Sequence, residues 1–101
     1  MSLKVTKNEF NEIISNENIT LIDFYADWCG PCKALSPIID EIANEATNIT
    51  VGKVNVDTER DLALKYNVRS IPTMVIFKGG KEIERMVGLL PKEEILAKIK
   101  G

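Results

Sequence analysis

Histidine is absent from this 101-residue chain, and cysteine occurs only twice. A structural zinc site takes four ligands, mostly cysteine and histidine. One chain could therefore complete such a site only with carboxylates, and a site shared between two chains is the other route. We expect no metal site, so the two cysteines need another explanation.

Long apolar runs and basic clusters are also missing. The N-terminal segment MSLKVTKNEF is not apolar enough for a signal peptide, and no segment has the length of a transmembrane helix. The 13 basic and 15 acidic side chains give a net charge of −2, and the basic ones are scattered. Nucleic acid and anionic membrane are therefore poor candidate partners. We expect a cytoplasmic protein, although a secreted chain with its signal removed would look the same.

The composition is that of an ordinary globular protein. Apolar residues make up 45% and charged residues 28% of the chain, and no internal repeat or linker interrupts it. A chain of this length can bury a core without a disulfide or a metal. We expect residues 1–101 to form a single domain.

Hydrophobic periodicity predicts alternating strands and helices. Thr6 and Glu9 match a capping box at the start of the first helix, and Gly79 with Gly80 is a hairpin signal. The predicted order is a short strand (LKV), a helix to about residue 16, a strand over residues 20–26, a helix from near residue 29 to about 45, a strand over 49–57, a helix over 59–68, strands over 73–78 and 81–87, and a helix that opens at Pro91.

This order predicts an α/β fold. Strands joined through helices are expected to pair in parallel by right-handed crossovers, and the glycine hairpin makes the last pair antiparallel. We therefore expect a central mixed five-stranded sheet flanked by four helices. Functional residues of such sheets usually lie beyond the carboxyl ends of the strands, and the segment CGPC follows a strand directly.

The segment WCGPCK, residues 28–33, holds both cysteines and the only tryptophan. As a structural staple the disulfide would close a loop of four residues, which removes little entropy from the unfolded chain. As a redox pair, the two thiols lie one helical turn apart, where free backbone N–H groups favour a thiolate. Cys29 is then the more exposed and more acidic thiol and attacks a substrate disulfide, and Cys32 resolves the mixed disulfide. Gly30 and Pro31 add no charge between the cysteines, and this favours a pair that reduces substrate disulfides over one that forms them.

The segments DFYADWCGPCK, SIPT (residues 70–73) and FKGGKEI together resemble the thioredoxin family over nearly the whole chain. The resemblance implies a thioredoxin-like fold and a general protein-disulfide reductase, an electron carrier of cell redox homeostasis. It also implies recharging by a separate flavin-dependent thioredoxin reductase. No bound cofactor is expected, because no GxGxxG segment follows a strand, and a monomer is expected.

Asp23 stands alone in the apolar run LIDFY. One interpretation is a polar residue at a strand edge or a buried carboxyl with a partner. The other is a general base whose pKa is raised by burial and which takes the proton from Cys32. The resemblance to the family's buried aspartate favours the base. Lys53 occupies the position of the family's neighbouring lysine and either tunes Asp23 or reaches solvent along its stem.

Pro72 precedes an apolar strand, and a typical X–Pro bond at such a position is trans. The resemblance instead implies a cis-proline packed against the disulfide, with the backbone of Ile71 pairing with an extended substrate segment. The resemblance also implies a flat apolar substrate-binding surface around the nucleophile, made by Trp28, Pro31, Ile71 and Gly88.

Two other functions remain open at this point. A protein-disulfide oxidant or isomerase would run the same exchange in another direction. A binding module would use the surface of Trp28 and Pro72 irrespective of the redox state of the cysteines.

Overall fold

The computed structural model describes residues 2–101, which form five strands and four helices. In chain order these are β1 (Leu3–Lys4), α1 (Lys7–Ile14), β2 (Ile19–Tyr25), α2 (Gly30–Glu45), β3 (Ile49–Asn55), α3 (Arg60–Lys65), β4 (Thr73–Lys78), β5 (Lys81–Val87) and α4 (Lys92–Lys100).

The strands form one sheet in the order β1-β3-β2-β4-β5. Strand β3 is parallel to β1 and to β2, whereas β4 is antiparallel to both β2 and β5. The predicted mixed five-stranded sheet with four helices is therefore confirmed. Within residues 2–101, no helix combines the length and the apolar character needed to cross a membrane.

The two faces of the sheet carry separate cores, because successive side chains of a strand point to opposite faces. On one face, Phe10 of α1 and Leu62 of α3 pack with Ile22 and Phe24 of β2. On the other face, residues of α2 and α4 pack with Leu21 of the same strand. The alternation along β2 thus places α1 and α3 on one side of the sheet and α2 and α4 on the other.

Strand β4 runs against the predicted direction. The expectation that strands joined through helices pair in parallel is wrong here, because β4 follows α3 yet lies antiparallel to β2, with Thr73 opposite Phe24. The 6 residues of α3 rise only about 9 Å, whereas a seven-residue strand spans about 23 Å. The helix therefore does not run the length of the sheet, and β4 starts at the end of the sheet where β3 finishes.

Local sequence signals give the expected local structures. The carboxylate of Glu9 accepts a hydrogen bond from the backbone N–H of Thr6 (2.9 Å), as in a capping box, and a second one from the Thr6 hydroxyl (2.8 Å). Gly79 and Gly80 have φ values of 58° and 84°, which suit a two-residue hairpin of the type favoured by strand twist. The helix boundaries shift slightly: α1 ends at Ile14, and Pro91 is the N-cap of α4.

Gly52 of β3 lies where neighbouring side chains leave no room for a Cβ. A Cβ at this position would lie 2.7 Å from Cγ2 of Val5 and 3.1 Å from Cδ1 of Ile22. We expect Gly52→Ala to lower the free energy of unfolding by about 1–3 kcal/mol through overpacking, as measured by urea denaturation. Gly30→Ala is the control, because no atom lies within 4 Å of its added Cβ. Equal stability of the Gly52 variant and the wild type would contradict the packing argument.

Candidate active site

The two cysteines form a disulfide at the start of α2. Cys29 is the N-cap of the helix, and its Cα lies 5.2 Å from that of Cys32. The backbone N–H of Cys32 donates to Sγ of Cys29 at 3.2 Å. A free N–H of the first helical turn therefore points at the Cys29 sulfur, and the same donor would stabilise a thiolate after reduction. Pro31 lies in the first turn, where its missing N–H leaves no hydrogen bond unmade.

Both cysteines are largely covered. Cys29 is 5% exposed and Cys32 is 3% exposed, so the predicted difference in exposure is small. The disulfide packs with Ala26, and the partly buried side chain of Ile71 lies against this cluster. The adjoining residues Gly30 and Pro31 are exposed. The covered disulfide therefore adjoins exposed residues of the first turn of α2.

The segment before β4 lies against the disulfide. The Ile71–Pro72 peptide bond is cis. The family resemblance implied this isomer, whereas the general preference of X–Pro bonds predicts trans. The carbonyl oxygen of Ile71 lies 3.9 Å from Sγ of Cys29. The N–H of Gly88 donates to the carbonyl of Pro72 at 2.8 Å, and Gly88 has a φ of 96°, a conformation that favours glycine. The structure thus brings together four of the predicted site residues, Cys29, Ile71, Pro72 and Gly88.

Trp28 is 71% exposed and is not a core residue. Its indole Nε1 donates to Oδ2 of Asp57 at 2.8 Å, so the ring is held at the surface beside the disulfide. Asp57, which follows β3 by two residues, was not among the site residues predicted from the sequence. Its position at the carboxyl end of a strand was the available signal.

Asp23 is buried in the middle of β2, with 1% of its surface exposed. Among residues 2–101, one buried side-chain oxygen or nitrogen has no hydrogen-bond partner, and it is Oδ1 of Asp23. Burial raises the pKa of Asp23 from 3.8 to about 7, and the positive charge of Lys53 opposes part of that rise. The carboxyl can therefore exchange a proton near neutral pH.

A cavity of about 260 Å³ connects Asp23 with the inner cysteine, Cys32. Lys53 also lines this cavity and lies directly opposite Asp23 in the neighbouring strand. Its Nζ donates to Oγ of Ser36 and lies 5.8 Å from the centre of the Tyr25 ring. Lys53 is therefore held at the cavity and does not simply extend into solvent. Ser36 was not among the site residues predicted from the sequence, although it lies one helical turn after Cys32, on the same face of α2.

A disulfide whose outer sulfur lies at a helix start, next to a buried carboxyl with a raised pKa, is typical of proteins that exchange dithiols and disulfides. Comparison with known proteins gives the family. The thioredoxin family model matches residues 1–101. The thioredoxin of Chlamydia caviae is 44% identical over 92 residues, covering 91% of this chain and 89% of that protein. The thioredoxin of Chlorobaculum thiosulfatiphilum is 46% identical over 94 residues, covering 92% and 87%.

Solved structures agree with the sequence relatives. A thioredoxin variant from Halobacterium salinarum superposes with a TM-score of 0.91 at 39% identity, covering 98% of this chain and 88% of that one. The thioredoxin of Malassezia sympodialis gives the same TM-score of 0.91 at 29% identity, covering 99% and 89%. The chain belongs to the thioredoxin family. It is a thiol–disulfide oxidoreductase that reduces protein disulfides by dithiol–disulfide exchange, and the pair Cys29–Cys32 fits the redox-active dithiol.

Burial of Asp23 predicts a stability that falls as pH rises. A carboxyl whose pKa is raised by folding binds its proton more tightly in the folded state, so stability declines between the unfolded pKa of 3.8 and the folded pKa of about 7. Asp23→Asn removes this dependence. Since one unit of pKa corresponds to 1.36 kcal/mol, we expect the variant to gain on the order of 4 kcal/mol over the wild type between about pH 3 and about pH 9.

The measurement is urea unfolding of the oxidised proteins across this pH range. Asp27→Asn is the matched control, because its carboxyl is exposed at the rim of the same cavity. A constant difference between Asp23→Asn and the wild type at all pH values would show that the Asp23 carboxyl does not titrate abnormally.

Proposed function

We propose that Cys29 is the attacking nucleophile, Cys32 the resolving thiol and Asp23 the general base in the reduction of protein disulfides. The observation that carries this assignment is the asymmetry of the pair. The Cys29 sulfur accepts the N–H of Cys32 and faces the Ile71 carbonyl, whereas Cys32 lines the cavity that contains Asp23. One sulfur therefore faces the substrate side and the other faces a proton acceptor.

The first step forms a mixed disulfide. The Cys29 thiolate attacks one sulfur of the substrate disulfide, so a bond forms between Cys29 and the substrate while the substrate S–S bond breaks. The departing substrate thiolate takes a proton from solvent. The N–H of Cys32, which donates to Sγ of Cys29 in the oxidised protein, stabilises the attacking thiolate at the helix start.

The second step releases the substrate. Cys32 transfers its proton to the Asp23 carboxylate, directly or through water in the cavity of about 260 Å³. The resulting thiolate attacks the Cys29 sulfur, the Cys29–Cys32 bond forms, and the mixed disulfide breaks. The released substrate thiolate then takes a proton, so the substrate has gained two electrons and the protein is oxidised. Lys53 tunes the base, because its positive charge favours the ionised form of Asp23.

Substrate binding follows from the surface around Cys29. The backbone of Ile71 pairs with an extended substrate segment. The rest of the contact area is formed by Trp28, Pro31, Pro72 and Gly88. Support comes from the exposure of Trp28 and Pro31 and from the approach of Ile71 to the disulfide. Recognition through main-chain groups places few demands on substrate side chains. Such a surface suits many protein disulfides.

The catalytic cycle needs an external source of electrons. A flavin-dependent thioredoxin reductase would return the oxidised pair to the dithiol, and the uncharged Gly30-Pro31 linkage favours the reducing direction. We place the protein in electron transport and redox homeostasis of a cytoplasm, as a monomer formed by the single domain of residues 1–101.

Trapping of the mixed disulfide tests the two cysteine roles. Cys32→Ser leaves the nucleophile but removes the resolving thiol, so we expect it to accumulate a covalent complex with insulin under non-reducing conditions. Cys29→Ser should form on the order of tenfold less complex, because Cys32 faces the Asp23 cavity, whereas Cys29 lies at the Ile71 segment and accepts the helix-start N–H that favours a thiolate. Mass spectrometry of alkylated samples measures the complexes. Equal trapping by both variants, or by neither, would overturn the assignment.

The pH dependence of substrate release tests Asp23. We expect the wild-type release rate to rise with pH around the pKa of Asp23, about 7, because only the ionised carboxylate accepts the Cys32 proton. Asp23→Asn should release substrate on the order of tenfold to a hundredfold more slowly at pH 8 and approach the wild-type rate near pH 5. Rapid-quench kinetics measures the rates, with Asp27→Asn as the control. Identical profiles for Asp23→Asn and the wild type would exclude Asp23 from proton transfer.

A further inference from the structure

Arg85 of β5 connects the edge of the sheet to the segment that leads into the active site. Its Nη2 donates to the carbonyl of Tyr66 at 2.7 Å, and its Nη1 lies 3.5 Å from the carbonyl oxygen of Asn67. The same guanidinium donates through Nε and Nη2 to the two carboxylate oxygens of Glu82, at 2.8 Å each. Arg85 therefore binds a carboxylate on its own strand and backbone carbonyls just after α3.

The segment between Tyr66 and Pro72 carries Ile71 to the disulfide. Its first part turns sharply, since Asn67 has a φ of 54°. Its last residue, Pro72, accepts the N–H of Gly88 at 2.8 Å. Arg85 and Gly88 both belong to β5 or its immediate continuation. One edge strand thus holds this segment at its start and at its end.

The shape of the guanidinium suits this double role. Glu82 binds two of its N–H groups in a bidentate pair, which fixes the plane of the fork, and the remaining donors point at the carbonyls. A lysine has a single ammonium on a flexible stem and cannot reproduce both sets of contacts. The contacts at this position therefore require arginine in particular and not only a positive charge.

The fold has other means of holding α3 and Tyr66. The Tyr66 ring packs in the core, with its centre 5.2 Å from that of Phe10 and 5.4 Å from that of Phe77. The N–H of Val68 donates to the carbonyl of Ala63 at 2.9 Å. Loss of the Arg85 contacts would leave these interactions in place. The expected consequence is a less ordered backbone between Tyr66 and Ile71 in a protein that still folds.

We propose that Arg85 is a positioning residue for substrate binding: it orders the backbone of the segment before β4, so that Ile71 is presented to an extended protein substrate. This inference rests on the proposed pairing of substrate with Ile71. A small disulfide reaches Cys29 without that pairing, so the two substrate classes should respond differently to a change at Arg85.

The experiment compares Arg85→Met and Arg85→Lys with the wild type as pre-reduced proteins. Each is mixed with increasing concentrations of insulin, and its single-turnover oxidation is measured by alkylation and mass spectrometry. The same proteins are mixed with hydroxyethyl disulfide as the small substrate. Lys98→Met is the matched control, because it removes a different ion pair of β5, between Lys98 and Glu84 (3.6 Å), which does not involve the segment before β4.

We expect Arg85→Met to raise the half-saturating insulin concentration about fivefold, with a smaller rise in Arg85→Lys. The maximal rate and the rate with hydroxyethyl disulfide should stay within about twofold of the wild type. An unchanged half-saturating concentration, or an equal loss with both substrates, would overturn the inference. If Arg85→Met fails to fold, the same criteria apply to Arg85→Lys. Failure of the wild type to react with insulin would instead overturn the proposed function and this inference together.

Discussion

The pairing of β2 with a neighbour on each side is the interaction on which the rest of the site depends. Through β3 it places Lys53 opposite Asp23, and through β4 it places Thr73, the residue after the cis-proline, opposite Phe24. The strand then runs directly into the turn that carries Cys29. The proposed nucleophile, the proposed base and the proposed substrate-binding segment therefore take their positions from one strand. That strand is bonded on both sides and cannot shift its register without moving all of them.

Asp23 shows how this arrangement links stability to chemistry. A carboxyl in the middle of a buried strand has lost its hydration, and its Oδ1 finds no hydrogen-bond partner in the described chain. Ionisation at that position destabilises the fold, which is why its pKa rises to about 7. The same rise makes the group a proton acceptor that works near neutral pH. The positive charge of Lys53 offsets part of the free-energy cost of ionising Asp23. Ser36 and the Tyr25 ring hold the Lys53 ammonium at the cavity.

Much of the local structure could be predicted from sequence, because the signals lie within a few residues of what they specify. The capping box of Thr6 and Glu9 starts α1, the two glycines form the hairpin, and the apolar spacing after Cys32 gives α2. The direction of β4 could not be obtained in this way. It depends on the end of the sheet to which the whole segment between β3 and β4 brings the chain, which is a question of three-dimensional packing. The partners of Trp28 and Lys53 were missed for a related reason, since Asp57 and Ser36 belong to other elements.

The sequence by itself determined the spacing of the two cysteines at a predicted helix start, the four-residue loop between them and the lack of histidine, which together favour a redox pair over a structural disulfide or a metal site. Resemblance added the cis-proline and the role of the buried aspartate. Only the tertiary structure decided which groups surround that pair: the Ile71 carbonyl 3.9 Å from Cys29, the cavity shared by Cys32 and Asp23, and the anchoring of the segment before β4 by Arg85. The physical reason is that the spacing that lets two cysteines form a disulfide is set along the chain. Burial, and contact between residues far apart in sequence, arise only when the sheet brings their strands together.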